Sequence, residues 1–308
     1  MWAAQHPVPL PATSGKSRFE SSRIAENNVI PALRDVMTQP MNATGGYEVL
    51  PFVADLYDHV PPYVNRPDVA FYVERAHSAA GPTLELGCGT GRVLIPTARA
   101  GCTIVGLDLS PYMLAKCREK LAREPLEIRR RVRLVEEDMT DFGLGETFAL
   151  VTTPFRPFQH LVTVEEQLAC LQCVNRHLGV GGQLIIEVFH VNPKRIVGAP
   201  STEEAEDFAE VELRDGRKLG RTSRITAYHR ARQVNDIELI YYVAHPDGRT
   251  ERHVQAFPFR YFFRYEVEHL LARSGFRVAE LYGGFDKSPF ADDSPEMIFV
   301  AEKTEDIS

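Results

Sequence analysis

Gly87, Gly89 and Gly91 lie in the run Leu84-Glu85-Leu86-Gly87-Cys88-Gly89-Thr90-Gly91-Arg92, a glycine-rich turn between an apolar run and a helical one. Twenty-one positions after Gly87, a second apolar run, Thr103-Ile104-Val105-Gly106-Leu107, ends in Asp108. Glycines in such a turn let the backbone approach a ligand closely, and a carboxylate at the next strand end can accept both hydroxyls of a ribose. A dinucleotide turn reads G-x-G-x-x-G and opens a helix N-terminus toward a pyrophosphate. Here the order is G-x-G-x-G with the acidic Glu85 before it, and nothing in that tighter loop is arranged for phosphate. Asp108 has a second reading, as a cap for the helix begun by Ser110-Pro111. A third group is His160, whose side chain ordinarily titrates near neutrality and can take a proton from an ammonium or a hydroxyl. Its alternative role is to cap or pack at the start of the next helix.

The elements that must position these groups follow from periodicity. Helical spacing over 49–60 and 67–79 leads to strand 82–87, helix 91–100, strand 103–108 and helix 111–123. Strands 131–136 and 147–153, helix 163–177 and strand 183–189 continue the alternation. This order predicts an α/β fold with a mostly parallel sheet and helices on both faces. Ligands in such sheets bind at the carboxyl ends of the strands, where Gly87, Asp108, Asp138 and Thr153 fall. After Val191 the pattern changes to long β segments over 206–259, broken at Asp215-Gly216, Arg230-Ala231-Arg232 and Asp247-Gly248. D-G between alternating strands signals hairpins, so an antiparallel β lid inserted over 191–263 is expected. Helix 264–274, ending at Ser274-Gly275, and strands 276–283 and 296–303 then close the sheet. The expected organisation is a loosely ordered extension over 1–45, with one helix from Ser21 to Met37, and a main domain over 46–190 and 264–308.

Bulk properties narrow the function. With 308 residues, 44% hydrophobic and 25% charged, the chain can bury a sizeable core. A net charge of -7 disfavours a polyanion partner such as nucleic acid, and Arg129-Arg130-Arg131 with Arg133 reads as a solvated connection. The five cysteines make no disulfide framework. Cys170 and Cys173 sit as C-x-x-C on a helix with no second pair at zinc spacing, so no metal is expected. A reduced, cytoplasmic setting fits. No apolar run reaches the roughly 18 residues of a membrane span, and no signal-peptide pattern opens the chain.

The glycine loop with Asp108 resembles motif I and the following acidic strand end of the class I S-adenosylmethionine (SAM) methyltransferases. That resemblance implies a Rossmann-like seven-stranded sheet and SAM as cofactor, with S-adenosylhomocysteine as product. It implies that Glu85, Gly87, Cys88, Gly89, Gly91, Asp108 and Thr153 surround the cofactor. The segment Glu137-Asp138-Met139-Thr140-Asp141-Phe142 is similar to the family's stretch beside the adenine, which implies roles for Asp138 and Met139. Leu109 and Met113 would supply apolar contacts to the same ring, a core role being the alternative for Met113. Tyr57 falls in the N-terminal helical region that lies over the cofactor in related enzymes.

The segment Thr152-Thr153-Pro154-Phe155-Arg156-Pro157-Phe158-Gln159-His160-Leu161 occupies the place of the family's acceptor-facing residues, which implicates Phe155 and Phe158. It lacks the [ND]-P-P-[YF] of many enzymes that methylate nucleobase or glutamine amides. With the inserted meander and the closing Tyr282-Gly283-Gly284-Phe285-Asp286 and Glu296-Met297-Ile298-Phe299-Val300-Ala301 runs, it resembles small-molecule methyltransferases, closest in pattern to the deoxyaminosugar N,N-dimethyltransferases. Those enzymes close this segment with a histidine, in a pattern like F-S-S-x-G-H, and His160 falls at that position as the expected catalytic residue. His190, Tyr261 and Arg264 are further candidates for the acceptor pocket. The expected activity is methyl transfer to an amine or hydroxyl of a small molecule. RNA or protein methylation by the same fold, a non-catalytic SAM-binding protein and a nicotinamide oxidoreductase are the rivals, and a homodimer stays open.

Overall fold

The computed structural model describes residues 46–307 apart from 192–195 and 197–198. The extension expected over 1–45 lies outside the described residues. Three helices lead in: α1 (Pro51–Tyr57), α2 (Pro61–Val64) and α3 (Val69–Ser78). Then follow β1 (Thr83–Leu86), α4 (Leu94–Arg99), β2 (Ile104–Asp108), α5 (Pro111–Leu121), α6 (Leu126–Arg129) and β3 (Val132–Glu136). Next come β4 (Phe148–Thr153), a 3-10 turn at Pro157–His160, α7 (Val164–His177) and β5 (Leu178–Phe189). After the insertion, α8 (Arg264–Arg273), β10 (Phe276–Tyr282) and β11 (Glu296–Lys303) complete the chain.

Local chemistry explains the boundaries that matter for the site. Ser110 caps α5 by accepting the Met113 N–H at 3.2 Å, with Pro111 in the first turn. Thr163 and Glu166 form a reciprocal capping box at the start of α7. Helix α8 stops at Gly275, in the left-handed conformation at φ 77°, as the Ser-Gly pair predicts.

The main sheet has the order β10-β11-β5-β4-β1-β2-β3. Strands β1 to β5 pair in parallel, and β11 runs antiparallel to both β5 and β10. The strand order reverses between β1 and β4, which opens a crevice at their carboxyl ends. Both faces are covered, and β11 shows why its sequence is a continuous apolar run. Met297, Phe299 and Ala301 join the core under α7 and α8, whereas Ile298 and Val300 pack with Phe71 and Tyr72 of α3.

The insertion forms a separate antiparallel sheet in the order β6-β7-β8-β9: β6 (Ala205–Glu212), β7 (Lys218–His229), β8 (Val234–Ala244) and β9 (Thr250–Arg260). All three expected turn positions separate these strands, with Gly216 and Gly248 at φ 82° and 87°. Strand β9 meets the 3-10 turn, where the Gln159 side-chain amide donates to the Arg260 carbonyl at 2.6 Å.

Behind the β4 end lies a buried ionic network. Asp68 takes Arg92 through both oxygens, at 2.5 and 2.7 Å, and Arg66 at 3.1 Å. Glu187 of β5, fully buried, accepts from Arg66, from the Tyr72 hydroxyl at 2.9 Å and from the Phe155 N–H at 3.2 Å. Glu296 of β11 accepts from Arg66 at 3.0 Å and from Arg156. Burial raises the Glu187 carboxyl, opposed by Arg66 and Arg156. Phe155 and Arg156 both adopt left-handed backbone conformations, at φ 64° and 69°, which costs of order 1–3 kcal/mol each. The network holds them there.

Removing one partner from a buried network leaves charge uncompensated, so Glu187→Ala should cost about 3–5 kcal/mol. The exposed pair Arg277–Glu302 is the control, and Glu302→Ala should cost about 0–1 kcal/mol. Chemical denaturation of both variants checks this; similar small losses would show that the network contributes no more than a surface pair.

Candidate functional site

One cavity occupies the crevice. It is lined by Gly87 and Gly89 after β1, Leu107 to Ser110 at the end of β2, and Met113 of α5. Glu137 to Met139 follow β3, and Pro154, Phe155, Pro157 and His160 follow β4. Gly46 to Glu48 and Tyr57 complete the wall from the N-terminal side. Of the residues expected at the strand ends, Gly87, Asp108 and Asp138 line it, while the fourth strand contributes Pro154 and Phe155 rather than Thr153.

The glycine loop is shaped by its backbone. Gly89 is at φ 53°, and a Cβ there would have no protein atom within 4 Å, so the loop leaves room on its open side. Gly91 serves packing instead: a Cβ would fall 2.6 Å from the Cys117 sulfur of α5. The Asp108 carboxylate ties the loop to the next strand end, accepting the Gly89 N–H at 2.7 Å and the Ser110 N–H at 2.8 Å. Burial raises this carboxyl, and those two N–H bonds oppose the rise. Each oxygen takes one of the two, leaving lone pairs for further donors. The helix cap itself is Ser110, so the capping reading of Asp108 reduces to one backbone bond.

Glu85, Cys88, Gly91 and Thr153 sit around the site but do not line the cavity. Burial pushes the Glu85 carboxyl up to about 8, and its Oε2 has no hydrogen-bond partner among the described residues. Cys88 packs into a core cluster with Leu94 and Cys117, and Thr153 donates to the Ile185 carbonyl at 3.3 Å. Asp138 spends Oδ1 on the Thr140 N–H and hydroxyl, each at 2.8 Å. Leu109, Met113 and Met139 give the same wall its apolar surface.

His160 stands among aromatic rings. Its centroid lies 5.7 Å from Tyr47, 5.2 Å from Phe257 and 5.0 Å from Phe259, the last two on β9. Among the described residues, no group hydrogen-bonds its ring nitrogens. Burial alone lowers its pKa to about 4. Such an imidazole is a hydrogen-bond acceptor of reduced basicity.

Four residues expected at the acceptor do not line the cavity. Phe158 is 1% exposed and packs on Phe262 in the core. His190 bonds the Ser294 carbonyl at 2.8 Å and packs on Phe290. Tyr261 is buried beside Phe263, and Arg264 pairs with Glu268 along its own exposed helix face. Phe155 does line it, with the guanidinium carbons of Arg66 and Arg92 at 5.2 and 5.4 Å from its ring centre. Sequence reasoning missed Tyr47 and Glu48, which follow a turn-rich stretch without periodicity. It also missed Glu187, although a carboxylate inside the apolar run Leu184-Ile185-Ile186-Glu187-Val188-Phe189 is itself a signal.

Comparison with known proteins places the chain. Residues 83–182 match the family model described as a methyltransferase domain. The dTDP-3-amino-3,4,6-trideoxy-alpha-D-glucopyranose N,N-dimethyltransferase of Streptomyces venezuelae is 30% identical over 220 residues, 70% of this chain and 84% of that protein. The chain belongs to the class I SAM-dependent methyltransferases. Among solved structures, the CcbJ methyltransferase from Streptomyces caelestis superposes with a TM-score of 0.65 at 26% identity, covering 82% of this chain and 96% of that one. A SAM-bound amino pentose methyltransferase from Micromonospora echinaspora does so at 0.58 and 29%, covering 77% and 90%. The cofactor of this methyltransferase is SAM, and the residues fit it. The open side of Gly89, the free lone pairs of Asp108 and the apolar wall of Leu109, Met113 and Met139 suit a loop-contacting chain, a ribose and an adenine. Among the described residues no helix is long and apolar enough to cross a membrane.

Asp108→Ala should weaken S-adenosylhomocysteine binding by about 1.5–3 kcal/mol, the loss of charge-assisted hydrogen bonds. Calorimetry on parent and variant measures it, and unchanged affinity would remove Asp108 from the ribose site.

The depressed His160 pKa makes a second expectation. Because the folded value lies below the unfolded one, its neutral burial favours the fold above about pH 6.5, and that contribution is lost as pH falls toward 4. Histidine NMR should show the His160 ring neutral from pH 8 down to about 5.5; a titration near 6.5 would show that water reaches it freely.

Proposed function

We propose that this methyltransferase acts on the amine of a small polar acceptor of the aminosugar kind, with His160, Tyr47 and Phe155 facing the acceptor and the β6–β9 sheet serving as its lid. The observation that carries the reading is His160 at the cavity wall, set against Tyr47, Phe257 and Phe259 and without a hydrogen-bond partner among the described residues. The relative from Streptomyces venezuelae is, by its name, an N,N-dimethyltransferase of a nucleotide-linked aminosugar.

The low basicity of His160 favours nitrogen over oxygen. A hydroxyl is a poor nucleophile until a base draws off its proton, and an imidazole held near 4 is a poor base for that step. A neutral amine already carries the lone pair, and its proton can leave after the new bond has formed. Bound SAM supplies a methyl group on a positively charged sulfur, a strong electrophile. The chain's task is alignment and exclusion of water. His160 would accept an N–H of the amine and turn the lone pair inward, while Phe257 and Phe259 of the lid shield it. Tyr47, Tyr57 and Phe155 line the cavity, and aromatic surface of this kind tolerates the positive charge left on nitrogen.

Intact-mass or chromatographic assays should show one and then two methyl groups transferred to a nucleotide-linked aminosugar, and none to the same sugar bearing hydroxyl in place of the amine. His160→Ala should lower turnover about tenfold, the worth of one orienting hydrogen bond, with S-adenosylhomocysteine affinity retained. Transfer to the hydroxyl sugar alone would overturn the amine reading. A loss of 10²–10⁴ with an altered pH profile would instead make His160 a general base.

A further inference from the structure

The N-terminal cover of the cavity is bonded differently on its two sides. Toward the four-stranded sheet, Leu56, Val60 and Tyr63 share an apolar cluster with Leu213, Leu219, Tyr241 and Val243. Phe52 adds an edge contact to Tyr241 at 5.6 Å and stacks on His253 at 4.7 Å. Toward α5, a smaller apolar cluster of Met113 with Val53 and Ala54, flanked by Tyr47, Leu50, Phe52 and Tyr57, is accompanied by partly exposed polar contacts. Ser110 donates its hydroxyl to the Tyr47 carbonyl at 2.6 Å, and Lys116 pairs with Asp55 at 2.9 Å. At the far end, Asp58 accepts the Thr90 hydroxyl at 2.7 Å and the Lys120 ammonium at 2.9 Å, and Lys120 also reaches the Thr90 oxygen at 3.2 Å.

Thr90 is the residue between Gly89 and Gly91 and is fully buried. Asp58 therefore joins the helix carrying Tyr57 directly to the cofactor loop. Partly exposed ion pairs exchange readily for water, whereas an apolar cluster of seven side chains parts only at the cost of wetting it. The seam along α5, with fewer buried apolar side chains, is the weaker of the two.

We propose that Asp58 is a positioning residue for the cofactor site: through Thr90 and Lys120 it latches the α1 cover, moving with the lid sheet, onto the glycine loop, and release of that latch admits and discharges the cofactor. Three features support it together. The latch ends on the loop itself, Tyr47 and Tyr57 line the cavity from the two ends of the cover, and the partly exposed ion pairs of Asp55 and Asp58 fall on the α5 side, whereas the bond from Arg221 of the sheet to the Tyr63 hydroxyl, at 2.7 Å, is buried. The inference rests on the cavity being the SAM site.

The test is the binding kinetics of S-adenosylhomocysteine on the full chain, by surface plasmon resonance, for parent, Asp58→Asn, Asp58→Ala and Asp55→Ala. A latch that holds the cover closed predicts that association and dissociation rates rise together, about three- to tenfold in Asp58→Ala, with a smaller rise in Asp58→Asn and in Asp55→Ala. Equilibrium affinity then changes much less than either rate. A purely structural role for Asp58 would raise dissociation alone, because a distorted loop binds less well without becoming more accessible. That result, or unchanged rates in all variants, overturns the latch. Absence of S-adenosylhomocysteine binding by the parent would overturn the cofactor site itself. Asp58→Asn keeps the side-chain volume at the end of α1, so it reports on the charge even if Asp58→Ala loosens the helix.

Discussion

Three carboxylates and three guanidiniums enclosed behind the end of β4 set the geometry of everything in front of them. Asp68, Glu187 and Glu296 face Arg66, Arg92 and Arg156, so the charges balance within one buried volume. Desolvating six ions is costly, and the attraction recovers that cost only when the geometry is good and the remaining lone pairs are filled. Tyr72 and the Phe155 N–H fill those of Glu187. The groups come from the segment before α3, the residue after Gly91, the loop after β4, and strands β5 and β11. None of these elements can shift without leaving a buried charge unpaired. This explains how two consecutive non-glycine residues persist in left-handed conformations at the cavity wall.

The strand-end wall of the cavity and the wall around His160 rest on opposite electrostatic choices. On the cofactor side, polar groups are paired with backbone: Asp108 with Gly89 and Ser110, Asp138 with Thr140. These contacts shape turns while leaving acceptor capacity for a ribose or an amine. Around His160, the rings of Tyr47, Phe257 and Phe259 stand close, and desolvation lowers its pKa. A catalyst that needed a strong base would place a carboxylate beside that histidine. Methyl transfer to an amine needs a dry, oriented lone pair instead.

The fold was legible because each strand and helix carries its own period, and the turn chemistry at Asp215-Gly216, Asp247-Gly248 and Ser274-Gly275 marks the breaks. The glycine loop was legible because its backbone requirement forces residue type. The acceptor wall was not, since an aromatic side chain reads the same whether it packs or lines a pocket. Phe155 and Phe158 are three residues apart in one turn, yet one faces the cavity and the other is buried on Phe262. The left-handed backbone at Phe155 and Arg156 separates them, and the long-range contacts of Glu187 and Glu296 hold those two residues. Those partners lie 32 and 140 residues away from the groups they hold. No local pattern encodes them, although a charge placed inside an apolar strand announces that such a partner must exist.

The two buried arrangements meet at Phe155. Its ring contacts the guanidiniums of Arg66 and Arg92 and also lines the cavity. An arginine placed directly at the wall would repel the cationic sulfur of the cofactor and the ammonium formed from an amine. Interposing an aromatic ring keeps the arginines available for the network while offering the cavity an apolar, polarisable surface. Fold stability and tolerance of positive charge therefore fall on the same side chain. The strain of its backbone is the cost of placing a ring at the boundary between a balanced ionic cluster and a site through which a positive charge must pass from sulfur to nitrogen.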